Sequence, residues 1–573
     1  MGHIDNSKIA NILYEIADLL ELKGVNFKPR AYRRAARNIE NHPKEIDEIY
    51  RKGELKEIEG VGSSIASKVE EIIETSDLNY LKELKKEFPE EIQKLMDIQG
   101  IGPKTVLKLY KKLEIKNLED LEAAAKEGKI RDLEGFGKKS EVNILKSIKM
   151  FKESQGRFLL GHIAPIAHDI EKKLGDLEEV LDIELAGSIR RKKDTIGDID
   201  ILIISSDPSK VMDFFTDMSE VKRILSKGKT RSTVIVSENL QVDLRVVEKE
   251  SFGSALQYFT GSKEHNIKLR QIALDKNMKL SEYGLLNKKD NEMVAGEKEK
   301  EIYEKLGLSY IIPELREDRG EIEAALNGKL PSLICLDDIR GDLHIHTNWS
   351  EGSNTVEEMA RKAKDLGYEY IAICDHSKTL QIAQGLDDDE LKDQIKEIES
   401  INAEIDGIEI LSGVEANIDS NGNLDVSKEV LKDLEFVVAS IHSGFKNSEE
   451  KMTERVINAM HNDYVNAIGH PTGRILNKRK SYELDLTKVF ETAEELNILM
   501  ELNSYPERLD LSDTNCKKAK DYNLQIVINT DSHNADQMRY MEFGVATARR
   551  GWLEKKNVFN TFNFKDLKKK LNV

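Results

Sequence analysis

From about residue 340 onward the chain repeats one pattern, a short apolar run that ends on polar residues, then a helix-forming stretch. The runs are "YIAICDHS", "IEILSGVEA", "FVVASIHS", "NAIGHP", "ILMELNS" and "IVINTDSH", preceded by "GDLHIHTNWSEG" at 341–352. Strand-like runs alternating with helical stretches predict a parallel α/β barrel. In such barrels the residues at the C-terminal strand ends share one face. Those positions carry His376, Glu415, His442, His470, Asp531 and His533, and the first run adds His344, His346 and Glu351. His344 and His346 are two apart, so in a strand both rings leave the same side. Six of the twelve histidines fall in this set. A single such histidine would read as a hydrogen-bonded side chain. Six imidazoles with three carboxylates instead suit several borderline cations such as Zn²⁺, Mn²⁺ or Fe²⁺. His461, inside a helical stretch, reads as structural.

The first 150 residues follow another rule. A Gly-apolar-Gly step between helical stretches occurs in "LKEIEGVGSSIASKVEEIIE" (55–74), "LMDIQGIGPKTVLKL" (95–109) and "IRDLEGFGKKSEVNIL" (130–145). Its glycines are Gly60 and Gly62, Gly100 and Gly102, and Gly135 and Gly137. They permit a tight hairpin and close approach of another backbone. The following helix then offers free N–H groups to a phosphate. This is the helix-hairpin-helix signature, which grips the DNA backbone without reading bases. Upstream, "FKPRAYRRAARN" (27–38) is expected to add a phosphate-binding patch. Lys68, in the second helix of the first hairpin, reads on its residues alone as a surface lysine. The net charge of −18 argues against nucleic acid only until it is located. Residues 1–150 carry 28 Lys+Arg against 28 Asp+Glu, whereas 341–573 carry 29 against 42. Basic patches in the first half therefore remain free to meet phosphates.

Between these regions lies "AGSIRRKKDTIGDIDILII" (186–204). Asp198 and Asp200 leave one face of a strand-like run, and "TVIVSENLQVDLRVV" (233–247) brings Asp243 on a second. Three acids on adjacent strands could hold two Mg²⁺ ions about 4 Å apart for in-line phosphoryl transfer. Gly187 and Ser188, at an expected turn, would cradle the terminal phosphates, with Arg191 as counter-charge.

These stretches resemble the family X DNA polymerases, over about residues 1–315. That resemblance implies a nucleotidyltransferase palm using Asp198, Asp200 and Asp243 with Mg²⁺ or Mn²⁺. It implies nucleotide contacts from Gly187, Ser188, Arg191 and Gly197. "FGSALQYFTGSKEHNIKLR" (252–270) extends the resemblance and separates a templated polymerase from antibiotic and tRNA nucleotidyltransferases, which share only the GS…DxD part. It maps sugar selection onto Tyr258, Phe259 and Gly261, base contact onto Asn266 and a template-side contact onto Arg270. It also places Lys28 and Tyr32 near a 5′-phosphate and makes Lys68 an imine-forming nucleophile on an abasic sugar. Gln241 stands where vertebrate relatives carry an arginine beside the third aspartate. The C-terminal set resembles the PHP (polymerase and histidinol phosphatase) domain over about 340–573. That implies three metals held by the nine residues, and phosphoester hydrolysis. Many members have Asp at the Glu351 position. Arg474, just after "GHP", is a candidate contact to substrate phosphate.

The expected architecture is multidomain: an α-helical helix-hairpin-helix N-terminal region, an α+β nucleotidyltransferase palm and a C-terminal distorted (β/α)7 barrel. The expected divisions are 1–80, 81–153, 154–245, 246–315, a linker at 316–339, and 340–573. No run reaches the roughly 20 apolar residues of a membrane span. No secretory signal is visible, and three scattered cysteines fit a reducing cytoplasm. The expected function is gap-filling, template-directed DNA synthesis coupled to a metal-dependent nuclease acting as a 3′→5′ exonuclease, an abasic-site endonuclease or a 3′-end cleaner. Gapped or primer-template DNA and dNTPs would be the partners of a monomer. The alternative is a polymerase whose barrel is only structural.

Overall fold

The computed structural model describes residues 6–40, 42, 46–75, 77–98, 101–133, 135–154, 156–380 and 384–571. Gly100 lies outside the described residues.

The N-terminal helices share one core, because each has an apolar stripe to bury. In Asn6–Leu22, Ile9, Leu13, Ile16 and Leu20 fall at three- and four-residue spacing and are all buried. They join one apolar cluster that extends to Ile144 and Ile148. The hairpins differ from expectation in their first limbs. A single 3₁₀ turn, Leu55–Glu57, precedes Gly60, because Gly53 at φ +75° has already ended the Ile46–Lys52 helix. Full helices follow the glycine steps: Ser63–Thr75, Pro103–Leu113 and Lys138–Ser154.

The palm is a five-stranded sheet in the order Val180–Leu185, Asp198–Ser205, Gln241–Val246, Arg231–Ile235, Arg223–Lys227. The second and third of these run parallel, with Asp200 opposite Asp243 and Asp198 opposite Gln241. Helix Leu160–Gly175 buries Leu160, Ile163, Ala167, Ile170 and Leu174 against it. Beyond the palm, helices Phe252–Thr260 and Lys263–Asp275 lead into a three-stranded antiparallel sheet over 278–295.

The expected linker at 316–339 is not a free tether. Arg316, Glu321, Ile322 and Ala325 are buried with the cluster built around Tyr303, and Ile334 and Ile339 are buried in the barrel core. Apolar residues spaced through a polar-looking segment are what tie it down.

The C-terminal region is a seven-stranded parallel sheet whose strands follow chain order: Gly341–Ile345, Tyr370–Ile373, Glu409–Asn417, Phe436–Ser440, Ala467–Ile468, Leu499–Asn503 and Ile526–Asn529. A parallel bridge from Ile345 to Ser532 brings its ends together, so the barrel is nearly closed. The loops at its C-terminal face pack on the palm. Leu509 and Phe543 enter the palm's apolar cluster, Asn477 donates to the Arg157 carbonyl (2.9 Å), and Arg474 pairs with Asp194 (3.3 Å). Arg550 pairs with Glu317 (3.0 Å) and Arg319 with Asp513 (2.9 Å), which ties the segment after residue 315 to the barrel. Among the described residues no helix is long and apolar enough to cross a membrane.

Candidate active sites

Parallel pairing brings the palm aspartates together at one end of two strands. Asp243 is buried and fixed by Thr233 Oγ1 and Gln241 Nε2, both donating at 2.6 Å. Gln241 thus supplies a hydrogen bond to the third acid, while a charge comes from Arg231 Nη2 at 3.5 Å on the neighbouring strand. Burial, then Asp198 and Asp243, push the Asp200 carboxyl up to about 7. Burial and Asp243 also raise Asp198. Carboxylates that resist ionisation beside one another are poised for cations, which would relieve the repulsion. The sign of the resulting pH dependence is set by Asp200. Below about 7 a cation must displace its proton, so the Mg²⁺ concentration for half-maximal nucleotide addition should rise by about tenfold per pH unit. Titrating Mg²⁺ at pH 6 and pH 7.5 measures this, and an unchanged midpoint would count against a protonated Asp200.

Gly187 and Ser188 begin a one-turn helix, Gly187–Arg190, rather than a free turn. Gly187 is at φ +66°, and a Cβ there would lie 2.8 Å from Asp200 Oδ2, so only glycine lets this segment close over the acid. Gly197 precedes Asp198 directly. Arg191 is tied down: Nε pairs with Glu317 at 2.9 Å and Nη1 donates to the Thr260 carbonyl at 2.5 Å. Tyr258 and Phe259 end the Phe252–Thr260 helix with their rings edge-on at 5.2 Å. Gly261 follows at φ +72°. Asn266 is buried, bonded to Gln257 Nε2 (2.6 Å) and the Tyr258 carbonyl (2.7 Å), and Arg270 lies one turn along the same helix.

In the N-terminal region Gly60 and Gly135 need their positive φ of +81° and +84°, whereas a Cβ on Gly62, Gly102 or Gly137 would meet open space. The second glycine of each step is therefore free to admit another molecule. Lys68 Nζ donates to the Ser64 carbonyl (3.0 Å) and lies 4.7 Å from the centre of the Tyr80 ring. Burial and the nearby Lys28 lower its pKa. Tyr32 is buried beside Tyr80, its hydroxyl pushed up to about 12 by burial and that neighbour. The structure thus gathers Lys28, Tyr32 and Lys68. Two arginines of the expected phosphate patch are already engaged, Arg33 with Asp18 and Glu21 (both 2.6 Å) and Arg34 with Glu59.

At the C-terminal face of the barrel the nine expected ligands form one continuous cluster. His344 Nε2 lies 3.2 Å from His346 Nε2, and His346 Nε2 lies 3.1 Å from Asp531 Oδ1. Glu351 Oε1 bridges His376 (3.2 Å) and His533 (3.1 Å). Glu415 is central, with His376 Nδ1 at 2.7 Å, His470 Nε2 at 3.0 Å, His442 Nε2 at 3.3 Å and His344 Nε2 at 3.6 Å. Three overlapping triads have ligand atoms within 4.8 Å of one another: His346, His376 and His533; His344, His346 and Asp531; His376, Glu415 and His442. The donor set fits metal ions on its own chemistry. His346 Nδ1, His442 Nδ1 and His470 Nδ1 are buried without a hydrogen-bond partner among the described residues, and unsatisfied buried polar atoms call for a ligand. Burial, with His533 and His376 beside it, lowers the His346 imidazole to about 3, so the ring stays neutral and able to coordinate.

Several supporting residues escaped sequence reasoning. Glu501 is fully buried and accepts from His344 Nδ1 (2.7 Å), which turns Nε2 of that ring into the cluster. It also accepts from the His470 N–H (2.6 Å). Asp342 and Asp375 anchor the strands beneath: Asp375 takes the Thr347 N–H at 2.8 Å, and Asp342 takes the Thr530 N–H at 3.2 Å. The available signal was a charge inside an apolar run, as in "ILMELNS". Arg474, the candidate phosphate contact, is instead committed to the palm through Asp194 and to the carbonyls of Arg508 and Leu509.

The chain matches protein families in the order this geometry requires. Residues 4–78 match a helix-hairpin-helix domain, and 92–150 a SAM-like helix-hairpin-helix tandem. Residues 162–269 match the DNA polymerase beta palm, 255–317 the DNA polymerase beta thumb, and 342–505 the PHP domain. It is 38% identical over 562 residues, 98% of each chain, to the Bacillus subtilis (strain 168) protein named "DNA polymerase/3'-5' exonuclease PolX". It belongs to the family X DNA polymerases that carry a PHP domain. The barrel of this family X member has relatives of its own. A Thermoanaerobacter sp. (strain X514) protein named a probable phosphatase is 33% identical over 231 residues, 38% of this chain and 89% of the relative. Another so named, from Acetivibrio thermocellus, is 37% identical over 202 residues, 34% of this chain and 78% of the relative.

Proposed function

We propose that this family X polymerase fills short gaps in DNA during repair, including base excision repair, and removes nucleotides or blocking groups from DNA ends at its barrel. The observation that carries the reading is the coexistence of two complete acid and imidazole sets, Asp198, Asp200 and Asp243 in the palm and the nine-residue barrel cluster, on one chain. Mg²⁺ or Mn²⁺ serves the palm and up to three Zn²⁺, Mn²⁺ or Fe ions serve the barrel. When bound, such ions lower the pKa of an attacking oxygen and neutralise charge on phosphate. The chain's own contribution is placement. Gly187 and Ser188 lie over the triphosphate, Gly197 gives it room beside Asp198, and Asn266 and Arg270 face base and template. Tyr258, Phe259 and Gly261 select the sugar, and the hairpin glycines meet the DNA backbone. Substrates are gapped or primer-template DNA and dNTPs, bound by a monomer in the cytoplasm. The 3′→5′ exonuclease reading is supported by the name of the Bacillus subtilis relative, and 3′-phosphate removal by the names of the phosphatase relatives. Abasic-site incision would draw on the same phosphoester hydrolysis.

A 5′-labelled primer in a gapped duplex, with and without dNTPs in Mg²⁺ and in Mn²⁺, tests this. Extension and shortening report the two sites separately, and a primer that never shortens would leave the barrel structural.

Lys68 is the lyase nucleophile in this reading, supported by its lowered pKa beside Lys28. Borohydride should trap the protein on a 5′-incised abasic site, and Lys68→Ala should lose most of the adduct, since its amine is the nucleophile in this reading. Absence of trapping in the unmodified protein would return Lys68 to an ordinary surface lysine.

A further inference from the structure

Two adjacent parallel barrel strands, Ala467–Ile468 and Leu499–Asn503, send their following loops out from the same face of the barrel as the metal cluster. Each loop brings an arginine. Arg508, in the loop after Asn503, has Nε 3.6 Å from Asp531 Oδ2, too long for a hydrogen bond, and its side chain is 23% exposed. Among the described residues its guanidinium meets no other carboxylate. The opposite oxygen of Asp531, Oδ1, faces His346, and Oδ2 is already held by Asn503 Nδ2 at 2.9 Å. Arg479, in the loop after His470, donates Nε to the Gly473 carbonyl (2.9 Å) and lies 4.0 Å over the Phe445 ring. Burial and the proximity of Arg508 both lower its pKa, the mark of two guanidiniums converging. Like charges gathered at the edge of a metal-ligand cluster raise the local affinity for an anion.

The position of Arg508 is rigidly defined. Arg474 donates Nε to the Arg508 carbonyl (2.9 Å) and Nη2 to the Leu509 carbonyl, while its Nη1 reaches Asp194 of the palm. Leu509 is 1% exposed within the palm's apolar cluster. The polymerase body therefore fixes the loop that carries this arginine.

We propose that Arg508, with Arg479 beside it, holds the phosphodiester of the terminal nucleotide at the barrel's hydrolytic site. The claim rests on the barrel being that site. A planar guanidinium with free N–H groups matches two non-bridging phosphate oxygens. Arg474, which by sequence looked like the phosphate contact, serves as the strut that sets Arg508 in place.

The test uses the full chain loaded with Mn²⁺ and a 5′-labelled primer. Arg508→Gln should raise KM for primer shortening on the order of 10- to 100-fold, the loss expected of a charge-assisted hydrogen bond, with Arg508→Lys recovering part of it. Binding of deoxyadenosine 5′-monophosphate, followed by calorimetry, should weaken by a similar factor. Metal content and primer extension should remain those of the unmodified protein. His344→Ala is the parallel control for the barrel itself. Should His344→Ala abolish shortening while Arg508→Gln leaves KM and monophosphate binding unchanged, the arginine assignment falls and the barrel assignment stands. Should His344→Ala still shorten primers, the barrel assignment falls first. Loss of metal from Arg508→Gln would overturn the assignment in another way, by showing that the arginine acts through Asp531.

Discussion

Asp200→Ala is expected to lower nucleotide addition on the order of 1000-fold or more while primer shortening survives, and His344→Ala is expected to do the reverse. Each change removes a side chain from one cluster and none from the other. Asp200 lies opposite Asp243 in the palm sheet, and its loss leaves the site one carboxylate short. His344 sits between Glu501, which orients it, and His346, Glu415 and Asp531. Its removal takes one ligand from the triad it forms with His346 and Asp531. Lost stabilisation of about 4 kcal/mol corresponds to roughly 1000-fold in rate, the scale on which a missing metal ligand acts. Both activities measured for both variants on one gapped substrate decide the matter. Because loops at the barrel's C-terminal face pack on the palm, a modest shared loss is expected from altered docking. Equal collapse of both activities in either variant would mean the two sites are one functional unit.

The second large effect concerns stability. Glu299 is buried and accepts from both Nη groups of Arg190 (3.0 and 3.1 Å), from Tyr310 (2.7 Å) and from Arg316, which is fully buried. Glu299→Ala would leave Arg316 charged without a carboxylate partner in an apolar cluster, at a cost of about 3–5 kcal/mol. The expected result is faster hydrogen exchange over 252–326 and a lower first transition in calorimetry. Protection equal to that of the unmodified protein would show that solvent or another acid compensates. The same group predicts acid lability. Burial alone would raise the Glu299 carboxyl, yet Arg316 and Arg190 hold it down at about 2 against an ordinary 4.5. Since the folded carboxyl titrates below the unfolded one, its contribution is complete above about 4.5 and is lost as pH falls towards 2. Glu299→Gln should lessen that acid sensitivity while lowering stability at neutral pH.

Much of the candidate chemistry was legible locally. The two-residue spacing of His344 and His346 and that of Asp198 and Asp200 reports a strand face, because side-chain alternation is a property of the backbone alone. The apolar runs that close on His376, Glu415, His442, His470 and Asp531 carry the barrel, because strand ends of a parallel sheet gather on one side whatever the loops do. Gly187 was also visible, although its reason was not: the contact its Cβ would make with Asp200 exists only after the strand and the short helix have packed.

What the sequence by itself determined is therefore the residue types at each centre, the layered architecture, and the separation of a balanced N-terminal region from an acidic barrel. Tertiary structure decided which charges are spent on holding the molecule together. Arg191 and Arg474 carry the same guanidinium as Arg508, yet the first is engaged by Glu317 and the second by Asp194, while Arg508 meets Asp531 only at 3.6 Å. Their partners lie 126, 280 and 23 residues away along the chain. The segment 316–339 is anchored at Ile322, Ala325, Ile334 and Ile339 for the same reason. Hydrophobic and ionic contacts act through space with energies set by burial, and no local pattern records which distant surface a side chain will meet.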